Sequence, residues 1–546
     1  MKQRLEIRLA AVTLAALLAA CSKPADSAPP AAVTSAAPKT AAAPTDGGIA
    51  WKQAASDADV DAAFAQASAE GKPVFVYWGA KWCPPCNQVQ ATLFNRQDFI
   101  ERSRAFVPVY VDGDQPGAQK LGARFKVRGY PTMVLFNSKG SELTRLPGEV
   151  DAQQYTQLLT LGMNAQRPVK AVLADAQAGG ESARRLSAND WKLLAFYSWE
   201  TDESQVVAKE RLPATLRQLA DSCPADQTQA AARLLLKATA AAGAGTDAKP
   251  ISPPDAAARE KLLRLLADPV QARTQMDVLT NNAAELTRAL SAAGTPQRGQ
   301  LVDALNAALK QLARDTTLSR ADRMTAVIAR VDLARIGVAK DAKPALPDAL
   351  LAEVRDHSAR ADREITNAYE RQAVIPTAAY LLAQAGLLDE SDALLKANLA
   401  KSHSPYYLMS ELAGNAKKRG DKEGALRWYE EAFNKSEGPA TRLQWGAGYV
   451  SALVELAPRD EARIEKAAQQ LLTEAAAQPD AFHDRSARSM QRVGSRLQSW
   501  NQSGHHAAVL KRLQRQLDAV CQRLASSDPQ RQTCEALLRP TAKKAA

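Results

Sequence analysis

The sequence predicts a multidomain protein in which one α/β domain precedes a much larger all-α region. Between Ile49 and Pro168, short apolar segments rich in β-branched and aromatic residues alternate with segments of helical periodicity, which is typical of an α/β domain. From Pro168 to Pro540 the helical periodicity continues without a further strand pattern. A chain of 546 residues is also too long for a single hydrophobic core.

The N-terminus has the pattern of a lipoprotein signal peptide. Residues 1–20 begin with three basic residues and continue as an apolar run that is too short to span a bilayer comfortably. The run ends in Leu-Ala-Ala-Cys, which resembles the bacterial lipobox, and this resemblance implies cleavage before Cys21 and attachment of lipid to it. The alternative is an ordinary signal peptide followed by a cysteine by chance.

The residues after Cys21 bear on location and reach. In bacterial lipoproteins, Ser22 rather than Asp at this position implies sorting to the outer membrane, so we expect the protein on its periplasmic side. Residues 21–48 are dominated by Ala, Pro, Ser and Thr and lack strand or helix periodicity. This composition predicts a tether between the lipid and the first domain.

The α/β domain is predicted over residues 49–168. A short first strand is expected over Ile49–Gln53, and the spacing of Ser56 and Asp59 is that of a capping box at a helix start. The next strand, Val74–Trp78, has no polar interruption, which is typical of a strand buried on both faces. The remaining elements are a strand over 106–111, a helix over 115–125, a strand over 132–136, its hairpin partner over 143–146, and a helix capped by Asp151.

A Cys-Pro-Pro-Cys motif at 83–86 follows the second strand and opens a helix. Two cysteines three residues apart can close a disulfide, and a helix N-terminus favours a thiolate. Structural zinc requires two further Cys or His ligands, and no His precedes His357, while haem attachment requires His where Asn87 stands. The motif therefore favours a redox dithiol of Cys83 and Cys86, and we expect no metal and no cofactor.

These segments resemble the thioredoxin family. The resemblance is carried by Trp82 and the motif after a buried strand, and by Gly-Tyr-Pro-Thr at 129–132 before another strand. Lys-Pro at 72–73 and the segment Thr92–Phe99 are similar to the C-terminal domain of the bacterial thiol:disulfide interchange reductase. The resemblance covers residues 49–167, about a fifth of the chain.

The resemblance implies a role for each residue of the motifs. Cys83 is implied to be the exposed nucleophile and Cys86 the buried resolving thiol. Pro131 is implied to be a cis-proline whose loop packs beside the dithiol and holds the backbone of a client protein. The implied client-binding residues are Trp82, Tyr130, Pro131 and Thr132.

Two features depart from the family pattern. Tyr77 lies six residues before Cys83, where many members carry a buried acid that assists proton transfer at the resolving cysteine. Neither proline of the motif can donate an N–H to the Cys83 sulfur, so few means of stabilising a thiolate are visible. This favours a reductant or modest exchanger over a strong oxidant.

The region after the α/β domain is predicted to be helical in two parts, residues 169–375 and 376–540. Gly386 and Gly420 lie 34 residues apart, each between two helices. Stacked helix pairs of this kind offer a concave surface for a partner, whereas helices without a groove are the alternative. The residues around the second glycine that match tetratricopeptide spacing are Leu412, Gly420, Ala425, Tyr429 and Ala432.

Three further cysteines lie in the helical region. Cys521 and Cys534 occupy two helical stretches that the turn at 526–529 folds back to back, which predicts a disulfide. An exported protein can keep such a disulfide, and it stabilises the fold by about 3 kcal/mol. Cys223 is left unpaired at the end of a helix, and we expect it to be a buried, small apolar residue.

The composition excludes one class of partner. Hydrophobic residues make up 46% and charged residues 24% of the chain, which is ordinary for globular proteins. The net charge of +11 comes from Lys and Arg scattered among acidic residues, and no basic cluster carries interleaved aromatic residues. We therefore expect no nucleic-acid partner.

The sequence as a whole predicts a lipid-anchored periplasmic thiol:disulfide oxidoreductase that reduces client proteins. Its expected partners are clients with disulfides or free thiols, a soluble redox partner, and the membrane through the N-terminal lipid. Two alternatives remain open. The same cysteines would serve a disulfide oxidase or isomerase, or the helical region would be a tethered binding scaffold in which the dithiol is secondary.

Overall fold

The structure is a computed structural model that describes residues 48–202, 204–243, 254–339 and 342–539. The predicted signal peptide, Cys21 and nearly all of the predicted tether lie outside these residues. Within the described ranges, no helix is both long enough and apolar enough to cross a membrane.

A five-stranded mixed sheet forms the centre of the N-terminal part, in the order β1-β3-β2-β4-β5. Strand β3 runs parallel to β1 and β2, whereas β4 runs antiparallel to β2 and β5. All residues of the central strand β2 are buried, which explains its uninterrupted apolar sequence. The strands are β1 (Lys52–Gln53), β2 (Val74–Gly79), β3 (Val107–Asp112), β4 (Thr132–Phe136) and β5 (Glu142–Leu146).

Five helices flank this sheet and confirm the predicted α/β class. The capping box of Ser56 and Asp59 opens the first helix, and Asp151 caps the fifth, as predicted. A π-helical turn at Gln90–Phe94 continues the second helix. The helices are α1 (Asp57–Glu70), α2 (Pro84–Val89), α3 (Gln97–Ser103), α4 (Ala118–Phe125) and α5 (Ala152–Met163).

The predicted first strand is shorter than expected. Only Lys52 and Gln53 pair with β3, opposite Val109 and Tyr110. Trp51 instead packs its ring against Phe75 and Tyr77 of β2 and against Phe94. The apolar residues that suggested a longer strand therefore contribute side-chain packing rather than backbone pairing.

The rest of the described chain is helical, which confirms the predicted all-α region. Its helices up to residue 339 are α6 (Val169–Ala178), α7 (Gly180–Arg184), α8 (Ala188–Ala195), α9 (Leu212–Ser222), α10 (Thr228–Ala242), α11 (Ala256–Ala267), α12 (Pro269–Thr274), α13 (Met276–Leu290), α14 (Pro296–Arg314) and α15 (Arg320–Ala334). Those from residue 342 onward are α16 (Asp348–Glu364), α17 (Ala368–Gln384), α18 (Leu388–Asn398), α19 (Pro405–Lys418), α20 (Lys422–Lys435), α21 (Pro439–Leu456), α22 (Glu461–Ala476), α23 (Asp484–Trp500), α24 (Ala507–Cys521) and α25 (Pro529–Ala536).

The glycines of the suspected repeat occupy equivalent turns. Gly386 lies between α17 and α18, and Gly420 between α19 and α20, with φ angles of +80° and +79°. Backbone of this kind favours glycine because other residues are strained there. The assignment of these pairs to the tetratricopeptide class stays a prediction.

The first helices of the all-α region share one core with the sheet. Phe75 and Leu135 from the strands lie in the same apolar cluster as Trp191 of α8 and Leu216 of α9. Hydrophobic packing is therefore continuous across residue 168, where the sequence suggested a domain boundary.

A buried ion pair reinforces this connection. Arg145 and Glu142 lie on β5, and the Arg145 guanidinium donates to a Glu142 carboxylate oxygen at 3.1 Å and to the Thr201 carbonyl at 2.8 Å. The Tyr197 hydroxyl donates to Glu142 at 2.9 Å. The edge strand of the sheet is thus bonded to the segment that follows α8.

The helical cysteines have two different arrangements. Cys521 of α24 and Cys534 of α25 are joined by a disulfide, with both side chains buried. Cys223, at the C-terminal end of α9, is a buried free thiol, and burial raises its pKa to about 12.

Candidate redox site

The two cysteines lie where the central strand passes into α2. Cys83 is the N-cap of the helix, and the first two helical positions are prolines, which have no N–H. The first amide available to the Cys83 sulfur is that of Cys86, which donates to it at 3.2 Å. Cys83 and Cys86 are joined by a disulfide. When the pair is reduced, this amide and the helix N-terminus favour a thiolate on Cys83.

Asn87 holds the loop that carries the first cysteine. Its side chain is buried, and its Nδ2 donates to the Lys81 carbonyl at 2.8 Å and to the Cys83 carbonyl at 2.9 Å. Both carbonyls lie in the turn between β2 and α2. The residue that excluded haem attachment in the sequence therefore fixes the geometry of the redox motif.

The second motif forms the loop before β4. The peptide bond between Tyr130 and Pro131 is cis. The Thr132 hydroxyl donates to the Gly129 carbonyl at 2.8 Å, so it stabilises its own loop. A Cβ atom at Gly113 would lie 2.0 Å from the Tyr130 hydroxyl, which explains the glycine at the end of β3.

Tyr77 cannot replace the buried acid that many thioredoxin-like proteins carry at its position. Its ring stacks on Tyr110 with 5.1 Å between centroids and meets Phe94 edge-on at 4.9 Å. Burial raises the pKa of Tyr77 well above its ordinary value, so the phenol stays neutral. A proton route to Cys86 does not pass through this side chain.

The dithiol is buried, in contrast to the exposed nucleophile that the family resemblance implies. Cys83 is 2% exposed, Cys86 4% and Trp82 6%. Both cysteines lie in one apolar cluster with Tyr406 and Met409 of α19. The expectation of an exposed Cys83 is wrong for this structure, because helices from the C-terminal half pack over the motif.

Aromatic and cationic side chains of these helices contact the predicted client-binding residues. Trp445 meets the Trp82 ring edge-on with 4.9 Å between centroids, and Tyr407 stacks on it at 6.0 Å. The Arg485 guanidinium lies 5.1 Å from the Trp82 ring and 4.8 Å from the Tyr130 ring. The rings expected to meet a client thus meet the protein's own helices.

Two polar side chains of the helical region bind groups beside the cysteines, one the Trp82 backbone and the other the Asn87 side-chain amide. Gln372 of α17 donates to the Trp82 carbonyl at 3.2 Å. His403 Nε2 lies 3.2 Å from Asn87 Oδ1. Because that oxygen can only accept, Nε2 carries the hydrogen of this bond. Burial lowers the pKa of His403, and Lys81 lowers it further, so the ring favours its neutral form. We call Gln372, His403, Tyr407, Trp445 and Arg485 the cover.

Further contacts hold the cover against the sheet domain. Thr441 donates from its amide at 2.9 Å and from its hydroxyl at 2.6 Å to Asp114 Oδ1. The backbone amide of Gln119 donates to Asp480 Oδ2 at 2.8 Å, and the backbone amide of Arg485 donates to the Gln119 side chain at Oε1, at 3.1 Å. Burial raises the pKa of Asp114 to about 6.

Sequence reasoning found one side of this site and missed the other. The site that the sequence predicts lies at one end of the central strands β2 and β4, where it brings together Cys83, Cys86, Trp82 and the 129–132 loop. The residues of the cover, by contrast, carry no local motif. Four of them are single residues within helices, and His403 lies in the bend just before α19. In the described ranges, no group of three or more Cys, His, Asp or Glu side chains is placed to hold a metal ion.

Comparison with known proteins agrees with this geometry. Residues 60–162 match the family described as thioredoxin-like domain. The chain is similar to the thiol:disulfide interchange protein DsbD of Pseudomonas fluorescens, at 31% identity over 109 residues, which are 19% of this chain and 19% of the relative. It is similar to DsbD of Yersinia pestis, at 34% identity over 98 residues, 17% of this chain and 16% of the relative.

A third relative is DsbD 1 of Pseudomonas aeruginosa, 30% identical over 106 residues, which are 19% of this chain and 18% of the relative. The chain thus covers less than a fifth of the length of each of these three relatives. Residues 60–162 form a thioredoxin-like domain related to DsbD, which confirms the predicted resemblance, and a large helical region follows it.

Proposed function

We propose that this protein is a thiol:disulfide oxidoreductase of the cell envelope that reduces client disulfides through Cys83 and Cys86. The observation that carries the proposal is the position of Cys83 at the helix N-cap, with the Cys86 amide directed at its sulfur. That environment favours a reactive thiolate at the end of the central strand of a thioredoxin-like sheet. The related DsbD proteins, described as thiol:disulfide interchange proteins, support the same chemistry.

The proposed reaction transfers two electrons from the dithiol to the client. The Cys83 thiolate attacks one sulfur of the client disulfide, which forms a mixed disulfide and releases the second client sulfur as a thiolate. The Cys86 thiolate then attacks the Cys83 sulfur, which releases the first client sulfur and leaves the Cys83–Cys86 disulfide. A soluble redox partner restores the dithiol by the same two steps in reverse.

The direction of electron flow is the finer part of the proposal. A strong oxidant needs an unusually stabilised thiolate. Here one amide reaches the Cys83 sulfur, and Lys81 points largely to solvent, 3.9 Å from Glu437. These features favour a reductant over an oxidase or isomerase.

The proposed location rests on the N-terminal sequence. The lipobox at Cys21 favours a lipid anchor on the periplasmic side of the outer membrane, followed by the tether at 21–48. These residues lie outside the part of the chain that the structure describes.

The reduction potential of the full chain tests the direction. We would equilibrate the protein in glutathione buffers until the ratio of Cys83–Cys86 disulfide to dithiol is constant, and measure that ratio by mass spectrometry. A value near about −270 mV supports reduction, and a value near about −120 mV supports oxidation. Cys223→Ser serves as the matched control, because this thiol is buried in a different apolar cluster from the motif and its loss should leave the potential unchanged.

Trapping tests the exchange itself. Cys86→Ser removes the resolving thiol, so we expect mixed disulfides between Cys83 and client proteins. The double variant Cys83→Ser/Cys86→Ser should trap none. If the Cys86→Ser protein also traps none after prolonged incubation with reducible clients, the tethered scaffold becomes the better explanation of the helical region.

A further inference from the structure

We propose that the cover controls access to the dithiol: a client meets Cys83 only after the cover has separated from Trp82 and Tyr130. This inference rests on the proposed function, because it concerns access to the same two sulfurs. The covered face is the one that the thioredoxin-like domain would offer to a client.

The first support is the burial of the reacting atoms. Exchange requires a client sulfur to approach the Cys83 sulfur directly. With Cys83 2% exposed and Cys86 4% exposed, the described arrangement leaves no approach for a protein disulfide. The surrounding apolar cluster includes Tyr406 and Met409, which belong to the helical region.

The second support is that the cover makes the contacts a client would need. Gln372 donates a hydrogen bond to the carbonyl of Trp82, next to the nucleophilic cysteine, and Trp445 packs against the Trp82 ring. Arg485 lies against both Trp82 and Tyr130, so it bridges the redox motif and the cis-proline loop. A client that binds this face has to displace these side chains.

The third support is that the covered arrangement leaves two polar groups poorly satisfied. Among the described residues, none offers a hydrogen-bond acceptor to the buried indole N–H of Trp82. Arg485 is desolvated, which lowers its pKa, and its side chain donates to Gln444 rather than to a carboxylate of the described residues. Both groups regain water when the cover separates, which offsets part of the lost packing.

Alkylation of the reduced full-length protein measures access without requiring exchange. We would reduce the Cys83–Cys86 disulfide, verify by mass that these two thiols are free while Cys521 and Cys534 remain joined, and follow carbamidomethylation of Cys83 by iodoacetamide. The variant Arg485→Ala removes the bridge between motif and loop. The matched control is Arg496→Ala, an exposed arginine on the same helix α23.

We expect wild type and Arg496→Ala to label slowly and equally at Cys83. Arg485→Ala should label about thirtyfold faster, the factor that corresponds to loss of a desolvated cation–π contact. Cys223 is the internal reporter of unfolding, since it is buried in a different core, and its labelling should not change. Equal Cys83 rates in wild type and Arg485→Ala would overturn the proposal.

An unfolded variant is recognised by faster labelling of Cys223. A second variant, Tyr407→Leu, then decides, because it removes the stacking on Trp82 and keeps a smaller apolar side chain in its place. Faster labelling of Cys83 alone supports the proposal, and an unchanged rate refutes it. Failure of the proposed function gives a different result. The Cys83 labelling rates would still differ between wild type and variants, but neither wild type nor any variant would reduce oxidised glutathione or insulin.

Discussion

Replacement of Arg145 by Met should destabilise the fold strongly, because the guanidinium is fully buried within a network that joins the sheet to the all-α region. It pairs with Glu142 at 3.1 Å and donates to the carbonyls of Phe125 at 2.9 Å, Lys126 at 2.9 Å and Thr201 at 2.8 Å. Methionine keeps much of the volume and removes every one of these bonds.

The magnitude follows from what remains behind. Loss of one partner of a buried ion pair leaves an uncompensated charge, here on Glu142, and costs about 3–5 kcal/mol. The stranded carbonyls add to this cost wherever water cannot reach them. We therefore expect a loss of roughly 4 kcal/mol in the free energy of unfolding. The double variant Arg145→Met/Glu142→Gln should lose less, because the orphaned charge is gone.

Urea unfolding followed by near-ultraviolet circular dichroism measures this loss. The matched control is Arg124→Met on α4, whose ion pairs with Asp57 and Asp61 are partly exposed. Surface pairs of this kind contribute at most about 1 kcal/mol. If Arg145→Met costs no more than Arg124→Met, the network does not join the two parts as described.

Three further predictions address the anchor, the interface and the free thiol. Cys21→Ala should leave the protein unacylated and release it from membrane fractions, as measured by mass spectrometry and sedimentation after a salt wash. The raised pKa of Asp114, about 6 against an ordinary 3.8, means that the folded protein holds this proton more tightly than the unfolded chain. Its contribution to stability therefore falls as pH rises from 4 to 6, so the Tm of Asp114→Asn relative to wild type should increase between pH 4.5 and 7. Cys223, with its pKa raised to about 12, should resist iodoacetamide at pH 8 in the native protein and react in denaturant.

Each of these has a result that would contradict it. Sedimentation of Cys21→Ala with washed membranes would remove the lipid assignment. A pH-independent Tm difference for Asp114→Asn, equal to that of the exposed control Asp303→Asn, would show that Asp114 is not desolvated. Rapid native labelling of Cys223 would mean that the core around α9 is open to solvent.

The elements that sequence reasoning found are those with local signals. The strand Val74–Trp78 has an unbroken apolar pattern, the capping box of Ser56 and Asp59 lies within four residues, and the redox motif follows directly. Ile49 lies within the predicted first strand, but in the structure it packs on the sheet core without pairing to a strand. Packing and pairing leave similar sequence patterns in such short segments.

The cover has no such signal because it is produced entirely by tertiary packing. Gln372 contacts a residue 290 positions away, and His403 one that is 316 positions away. Nothing in the sequence around these residues distinguishes them from solvent-facing polar side chains. The continuous core across residue 168 has no local sequence signal either. The strand pattern ends there, but the apolar side chains on both sides of it pack into one cluster.

The long sequence separation of the cover has a consequence for biosynthesis. The thioredoxin-like domain is translated first, whereas Arg485 meets Gln119 only after 366 further positions have been added. Domains generally fold as units from the N-terminus onward, and contacts between distant residues pay the largest loop-closure entropy. A newly made chain therefore lacks the complete cover over its two cysteines until α23 has formed. During that interval both cysteines are more accessible to other thiols, and access becomes restricted once the cover is complete.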